Sequence, residues 1–110
     1  MRIPFDAVIA RSKLVDYLLV LRPWDDKCKY LAQAGFEVEN AELLESAIRG
    51  LAAQSDAIED GKNDYGTFWR VDGELPGPNG VVLPIVTIWL KWSSDGTFHF
   101  ITLKPRREKQ

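Results

Sequence analysis

A chain of 110 residues, 45% apolar and 27% charged, suits one domain with a true core, and no apolar run approaches the roughly 20 residues of a membrane helix. One cysteine excludes an internal disulfide, and one histidine leaves a zinc site short of its usual donors, so neither metal nor other cofactor is expected. The net charge of −2 argues against bulk attraction to nucleic acid, yet it is uneven: residues 1–60 hold 11 acids and 7 bases, residues 61–110 hold 5 and 7.

The opening stretch MRIPFDAVIARSK is broken by Pro4 and Asp6 too early for a signal peptide, which predicts a cytoplasmic protein that does not engage a membrane. Ser12 is placed to cap a short helix, KLVDYLLVL, with Leu14, Leu18 and Leu21 on one face and Pro23 as its stop. Asp25 or Asp26 caps a second helix, KCKYLAQA, with Cys28, Leu31 and Ala34 facing inward and Gly35 as a left-handed terminator. Lys27 and Lys29 stand in its first turn, where the helix dipole favours anions. That placement suits either a solvated surface balanced by the aspartates or a pair of cations held for an anionic ligand. Asn40 caps a third helix, AELLESAIRGLAAQS, with Leu44, Ile48 and Leu51 as its stripe and Glu45–Arg49 as a surface pair. Gly50 costs this helix about 1 kcal/mol against alanine, which suggests close packing there.

After Ser55 the period changes from 3.6 to 2. DAIED reads as a short edge strand, GTFWRVDGEL as a second strand and PGPNG as a turn. VVLPIVTIWLKW is a long third strand, SSDG a hairpin turn and TFHFITLKP the last strand. The expected fold is α+β: two to three N-terminal helices packed on a C-terminal antiparallel meander of three to four strands. Residues 1–105 form the single domain, and 106–110 a basic tail that is either a solvated end or an RNA or phosphate contact.

Alternation assigns Val86, Ile88, Leu90 and Trp92 to the core, and Ile85, Thr87, Trp89 and Lys91 to an open face. Register is not fixed by one sequence. The preferred open face combines Arg70, Thr87, Trp89 and Thr102; alternatively the threonines are simply good strand formers. His99 suits acid–base chemistry by type, but in a regular strand it alternates away from Thr102.

In order, DDKCKYLAQAGF, YGTFWRVDGELPGPNG, VVLPIVTIWL and FHFITLKP resemble a family of small bacterial domains, common in cyanobacteria, that has no assigned reaction. The resemblance runs from Lys13 to Pro105; Cys28 stands where that family often has serine. More loosely, helices followed by an antiparallel sheet, a lysine on the second helix and a threonine late in the last strand are similar to the barnase/EndoU/RelE-like toxin nucleases. That resemblance implies RNA cleavage without metal, and an antitoxin or immunity protein as partner.

Such chemistry activates a ribose 2′-hydroxyl, neutralises the phosphorane oxygens and protonates the leaving 5′-oxygen, with charge stabilisation the larger share. Lys27, Lys29 and Arg70 are the candidate phosphate-holding cations, with Thr102 as the group orienting the phosphate. Tyr65, Thr87 and Trp89 (or Trp69) are candidates for holding substrate by hydrogen bonding or base stacking. The competing expectation is a non-catalytic interaction module, binding a protein through an exposed strand edge and its aromatics. A weak acid–base inventory and an acidic isoelectric point favour that module. Oligomeric state is not encoded in any of these features.

Overall fold

The switch of hydrophobic period near Ser55 divides helices from sheet in the computed structural model, which describes residues 2–19 and 27–106. Helix α1 begins at Arg11–Lys13 and continues as a wider π turn over Leu14–Leu18. Ser12 lies inside it, and Ala10 occupies the cap position without a side-chain bond, so the expected serine cap does not form. Leu14 and Leu18 are buried as their spacing requires, whereas Leu21, Pro23 and the proposed Asp25 or Asp26 cap lie outside the described residues.

Helix α2 is Lys27–Ala32, and Gly35 follows at φ 92°, the left-handed turn expected of it. Helix α3 is Ala41–Gln54, preceded by a 3₁₀ turn over Val38–Asn40. Asn40 braces that entry: its Oδ1 accepts from the Glu37 N–H at 2.7 Å and its amide donates to the Gly35 carbonyl at 2.9 Å. Gly50 has open space where a Cβ would stand, so close packing is not its reason. Close packing occurs instead at Gly73, where a Cβ would come within 2.9 Å of the Leu51 side chain. That glycine lets α3 settle onto the sheet.

The four strands β1 (Ile58–Lys62), β2 (Gly66–Pro76), β3 (Val82–Trp92) and β4 (Phe98–Pro105) pair antiparallel in the order of the chain. The α+β architecture read from the sequence is therefore the one observed, with four strands. Arg49 fastens the N-terminal segment to α3, donating to the carbonyls of Phe5 and Ala7 at 2.9 and 2.7 Å while it pairs with Glu45. Val8 then adds a parallel bridge outside β4, through Val8 N–H to Phe98 O and Phe100 N–H to Val8 O, both 2.8 Å.

The stripe of β3 expected to be open is, in its Ile85, Thr87 and Trp89, the one packed under the helices. Leu83, Ile85, Thr87 and Trp89 face the helices, all at most 4% exposed, beside Val71 and Leu75 of β2. Val86, Ile88, Leu90 and Trp92 take the opposite, open face, where Val86 and Leu90 are nonetheless buried, as expected of them, and Trp92 is 40% exposed. Both stripes are apolar enough to be core, so alternation alone cannot choose. What permits burial of the Thr87 stripe is that its hydroxyl is fully used, donating to Val71 O at 3.0 Å and accepting from Trp89 Nε1–H at 2.9 Å.

The last strand contains a bulge. Ile88 pairs with Thr102 and Trp89 with Phe100, which leaves Ile101 as an extra residue. His99, paired with Leu90, and Thr102, paired with Ile88, consequently share the open face. The expectation that they must point apart fails for this reason.

Candidate functional site

Where α2 crosses the edge of β4, three polar side chains converge. The Lys27 ammonium donates to the Tyr17 hydroxyl at 2.9 Å and to Thr102 Oγ1 at 3.2 Å, and Thr102 Oγ1 lies 3.4 Å from the Tyr17 hydroxyl. Lys27 also sits 5.0 Å from the centroid of the Tyr17 ring, within cation–π range. All three groups are part-buried. Each member is positioned by a different element: α1 supplies Tyr17, which packs on the core; the first residue of α2 supplies Lys27; the bulge presents Thr102. One cation and two hydroxyls within hydrogen-bonding reach of one another form a ready set of donors for a phosphate or another oxyanion.

Arg70 belongs to the same row of the sheet, because β2 and β4 place it and Thr102 on either side of Ile88. Two strand spacings separate them, about 10 Å. Arg70 Nε lies 3.1 Å from Asp72 Oδ1, a close ion pair without hydrogen-bond alignment. The other residues singled out from sequence are dispersed. Lys29 is exposed and stands about 200° around α2 from Lys27, so the two lysines do not act as a pair. Thr87 and Trp89 are 0% and 1% exposed, their polar atoms bonded to each other, and so form core structure rather than a substrate surface. Trp69 is partly buried, packed on that core beside Phe98. Tyr65 is 73% exposed at the turn into β2, far along the sheet from Thr102.

A second polar chain lies at the β3–β4 hairpin. Thr97 Oγ1 donates to Asp95 Oδ1 at 2.7 Å and lies 2.8 Å from His99 Nε2; with its proton committed to the carboxylate, it accepts from the imidazole N–H. His99 in turn stacks on Trp92, ring centroids 3.8 Å apart and planes 14° from parallel. Hydrogen bonds from the Thr97 side chain and backbone, and the nearby His99, hold the Asp95 carboxyl below its ordinary value. On α2, burial pushes the Tyr30 phenol above its ordinary value, with Arg106 opposing; its hydroxyl donates to Pro84 O at 2.7 Å.

The family model described as a domain of unknown function, DUF6883, matches residues 5–107. The chain belongs to the DUF6883 family. None of the curated proteins compared matches it. Among solved structures, this DUF6883 domain is similar to a chain of the contact-dependent growth inhibition toxin–immunity protein complex from Klebsiella pneumoniae 342. The two share 18% identity and a TM-score of 0.72, over 94% of this chain and 96% of that one. At that identity the likeness is one of fold. It is nonetheless a likeness over the whole domain.

Within this DUF6883 domain, sequence reasoning named Lys27 and Thr102 but missed Tyr17. The tyrosine flanks the apolar stripe of a helix that widens into a π turn, and no simple period assigns it a side. The Asp95–Thr97–His99 chain was missed as well: Asp95 lies in the turn before β4 and Gly96 stands at φ 74°, so strand alternation does not reach it. Among the described residues no group of three or more His, Cys, Asp or Glu side chains converges as a metal site would, and no helix is long and apolar enough to cross a membrane.

Proposed function

We propose that the domain is a toxin-type ribonuclease that cleaves single-stranded RNA without a metal ion, in the cytoplasm, and is held in check by an inhibitor protein. The observation that carries the reading is the convergence of Lys27, Tyr17 and Thr102 at one edge of an otherwise open sheet face. A scissile phosphate seated there exchanges the mutual hydrogen bonds of the three side chains for bonds to its own non-bridging oxygens. The ribose 2′-oxygen gives its proton to a hydroxide ion from solvent and bonds to phosphorus while the bond from phosphorus to the 5′-oxygen breaks. The products are a 2′,3′-cyclic phosphate and a 5′-hydroxyl. The Lys27 ammonium and the Thr102 hydroxyl offset the charge that grows on the phosphorane, and the Tyr17 phenol is placed to hand a proton to the departing 5′-oxygen.

The rest of the open face supports this assignment. Its floor is apolar, with Val86, Ile88 and Leu90, and Lys104 stands in one flanking strand; Arg70, in the other, is offset by Asp72 beside it. An inhibitor partner is supported by the shared fold with a chain of a toxin–immunity complex, and Lys27 and Lys104 suit an acidic partner surface. An edge-binding interaction module is less well supported. Val8 already bridges β4, and the β1 edge carries Glu59, Asp60 and Lys62 with a register shift at Gly61, features that discourage strand addition.

The test is cleavage of a single-stranded RNA by the purified domain in chelator, beside Tyr17→Phe, Lys27→Met and Thr102→Val. We expect a cyclic phosphate product, and a loss of about 10²–10³ in rate for Thr102→Val with its melting temperature nearly retained. Intact RNA after incubation with folded wild-type protein, together with normal growth of cells expressing it, overturns the reading.

A further inference from the structure

At the hairpin end of the same open face lies a cleft of about 490 Å³, lined by Asp64, Tyr65, Leu90, Trp92, Ser93 and Ser94. We infer that this cleft is a nucleobase subsite selective for guanine; the inference rests on the ribonuclease reading and names the base its substrate presents. The volume lies within the range of small-ligand sites and exceeds that of one purine. Two aromatic side chains border it, and both keep ring surface in solvent: Tyr65 is 73% exposed and Trp92 40%. Stacking on such rings is the general means of holding an unpaired base.

The cleft is built rather than incidental. Asn63 Oδ1 accepts from the backbone N–H groups of Tyr65 and Gly66 at 2.8 and 3.0 Å, which fixes the turn that carries Tyr65. Ser93 then ties that turn to the opposite hairpin, its N–H and hydroxyl both donating to Tyr65 O at 2.9 and 3.1 Å. His99, itself held through Thr97 and Asp95, stacks on Trp92 and is not among the residues lining the cleft. The indole is therefore braced from the β4 side while it still borders the cleft. This gives the Asp95–Thr97–His99 chain a positioning role that the phosphate chemistry leaves unassigned.

Selectivity comes from Asp64, the one charged group in the lining. A carboxylate accepts two parallel hydrogen bonds from the N1–H and exocyclic amino group of guanine. Adenine presents a ring acceptor at N1, and uracil flanks its single donor with carbonyls, so both meet the carboxylate with repulsion. The same negative charge discourages a phosphate from entering. Spacing agrees with a separate subsite: Trp92 stands four residues along β3 from Ile88, the partner of Thr102, about 13 Å away. That is farther than one nucleoside monophosphate reaches, so base and scissile phosphate belong to different nucleotides.

The experiment titrates the four nucleoside 5′-monophosphates into ¹⁵N-labelled protein, because the phosphate they share cancels and the base alone distinguishes them. Guanosine monophosphate is expected to shift the Trp92 indole and the Ser93 and Ser94 amide signals at least tenfold more tightly than the other three. Asp64→Asn is expected to abolish that preference, and Tyr65→Ala to weaken binding of all purines. Equal binding of all four, or shifts confined to Lys27 and Thr102, overturns the subsite. RNA cleavage separates the two readings. Cutting without base preference, unaltered by Asp64→Asn, sinks the subsite and leaves the nuclease standing. Guanine-selective shifts at the cleft in a protein that never cuts RNA sink the nuclease and sustain the subsite.

Discussion

His99 and Thr102 are three residues apart on β4, yet their side chains share one face of the sheet, because Ile101 is an inserted residue with no partner on β3. In a regular strand an odd separation sends two side chains to opposite faces. Here the bulge restores them to the same one, so Thr102 of the Tyr17–Lys27–Thr102 cluster and the braced Trp92 end up on a single surface.

Removing Ile101 tests that relationship directly. Its deletion is expected to force Thr102 or Leu103 into the wrong face, eliminating RNA cleavage and the close approach of Lys27 to Thr102 seen by nuclear Overhauser contacts. Ile101→Val, which preserves the count, is expected to cost about 1 kcal/mol or less in denaturant melts and to retain cleavage. Retained cleavage in the deletion variant tells against the bulge as the device that presents Thr102.

The two threonines of the sheet are expected to separate cleanly. Thr87→Val leaves the Trp89 indole N–H and Val71 carbonyl without their buried partner and is expected to cost about 1–3 kcal/mol of stability. Cleavage per folded molecule stays at the wild-type level. Thr102→Val behaves oppositely, with a small stability change because its partners are only part-buried and water can replace it. Urea melts and initial rates on the same preparations read both quantities.

Glycines give a second contrast. Gly50→Ala, in open space within α3, is expected to stabilise the domain by up to about 1 kcal/mol. Gly73→Ala drives a methyl into Leu51 and is expected to destabilise it, lifting α3 from the sheet. Thermal melting should move in opposite directions for the two substitutions. Equal shifts would contradict the packing of α3 on β2.

Acid should loosen the β3–β4 hairpin before the rest of the domain. The Asp95 carboxyl is held below its ordinary value of 3.8, chiefly by the Thr97 hydrogen bonds, so its folded-state value is depressed. A depressed carboxyl contributes stability that is present above the unfolded value and lost as the pH falls through the folded one. Hydrogen exchange at Thr97 and Gly96 is therefore expected to accelerate below the ordinary carboxylate range in the wild type. Asp95→Asn is expected to flatten that dependence, with faster exchange already at neutral pH.

Much of this was legible in the sequence. The change of period near Ser55 gave the α+β order, and Gly35, PGPNG and SSDG marked turns that are all present. Lys27 and Thr102 were named by residue type and place, and the structure brings those two side chains together. The faces of β3 were not, because Ile85 and Trp89 are as apolar as Val86 and Ile88; the decision lies in two hydrogen bonds made by Thr87 across to β2 and along β3. Nor was the bulge, which exists only as a relation between strands and leaves no mark on the residues of β4 read alone. Tyr17 was hidden by the π turn, whose wider period moves side chains off the helical wheel.

The separation along the chain between Tyr17 or Lys27 and Thr102, 85 and 75 residues, has a consequence for biosynthesis. No nascent fragment holds all three groups, since the last arrives only with the final strand. On the ribonuclease reading proposed above, a ribosome making this domain is thus never exposed to a partly built but competent nuclease; activity would begin when the finished domain closes. The same arrangement makes the domain divisible. Two inert halves cut at the β1–β2 turn would regain function only on meeting each other.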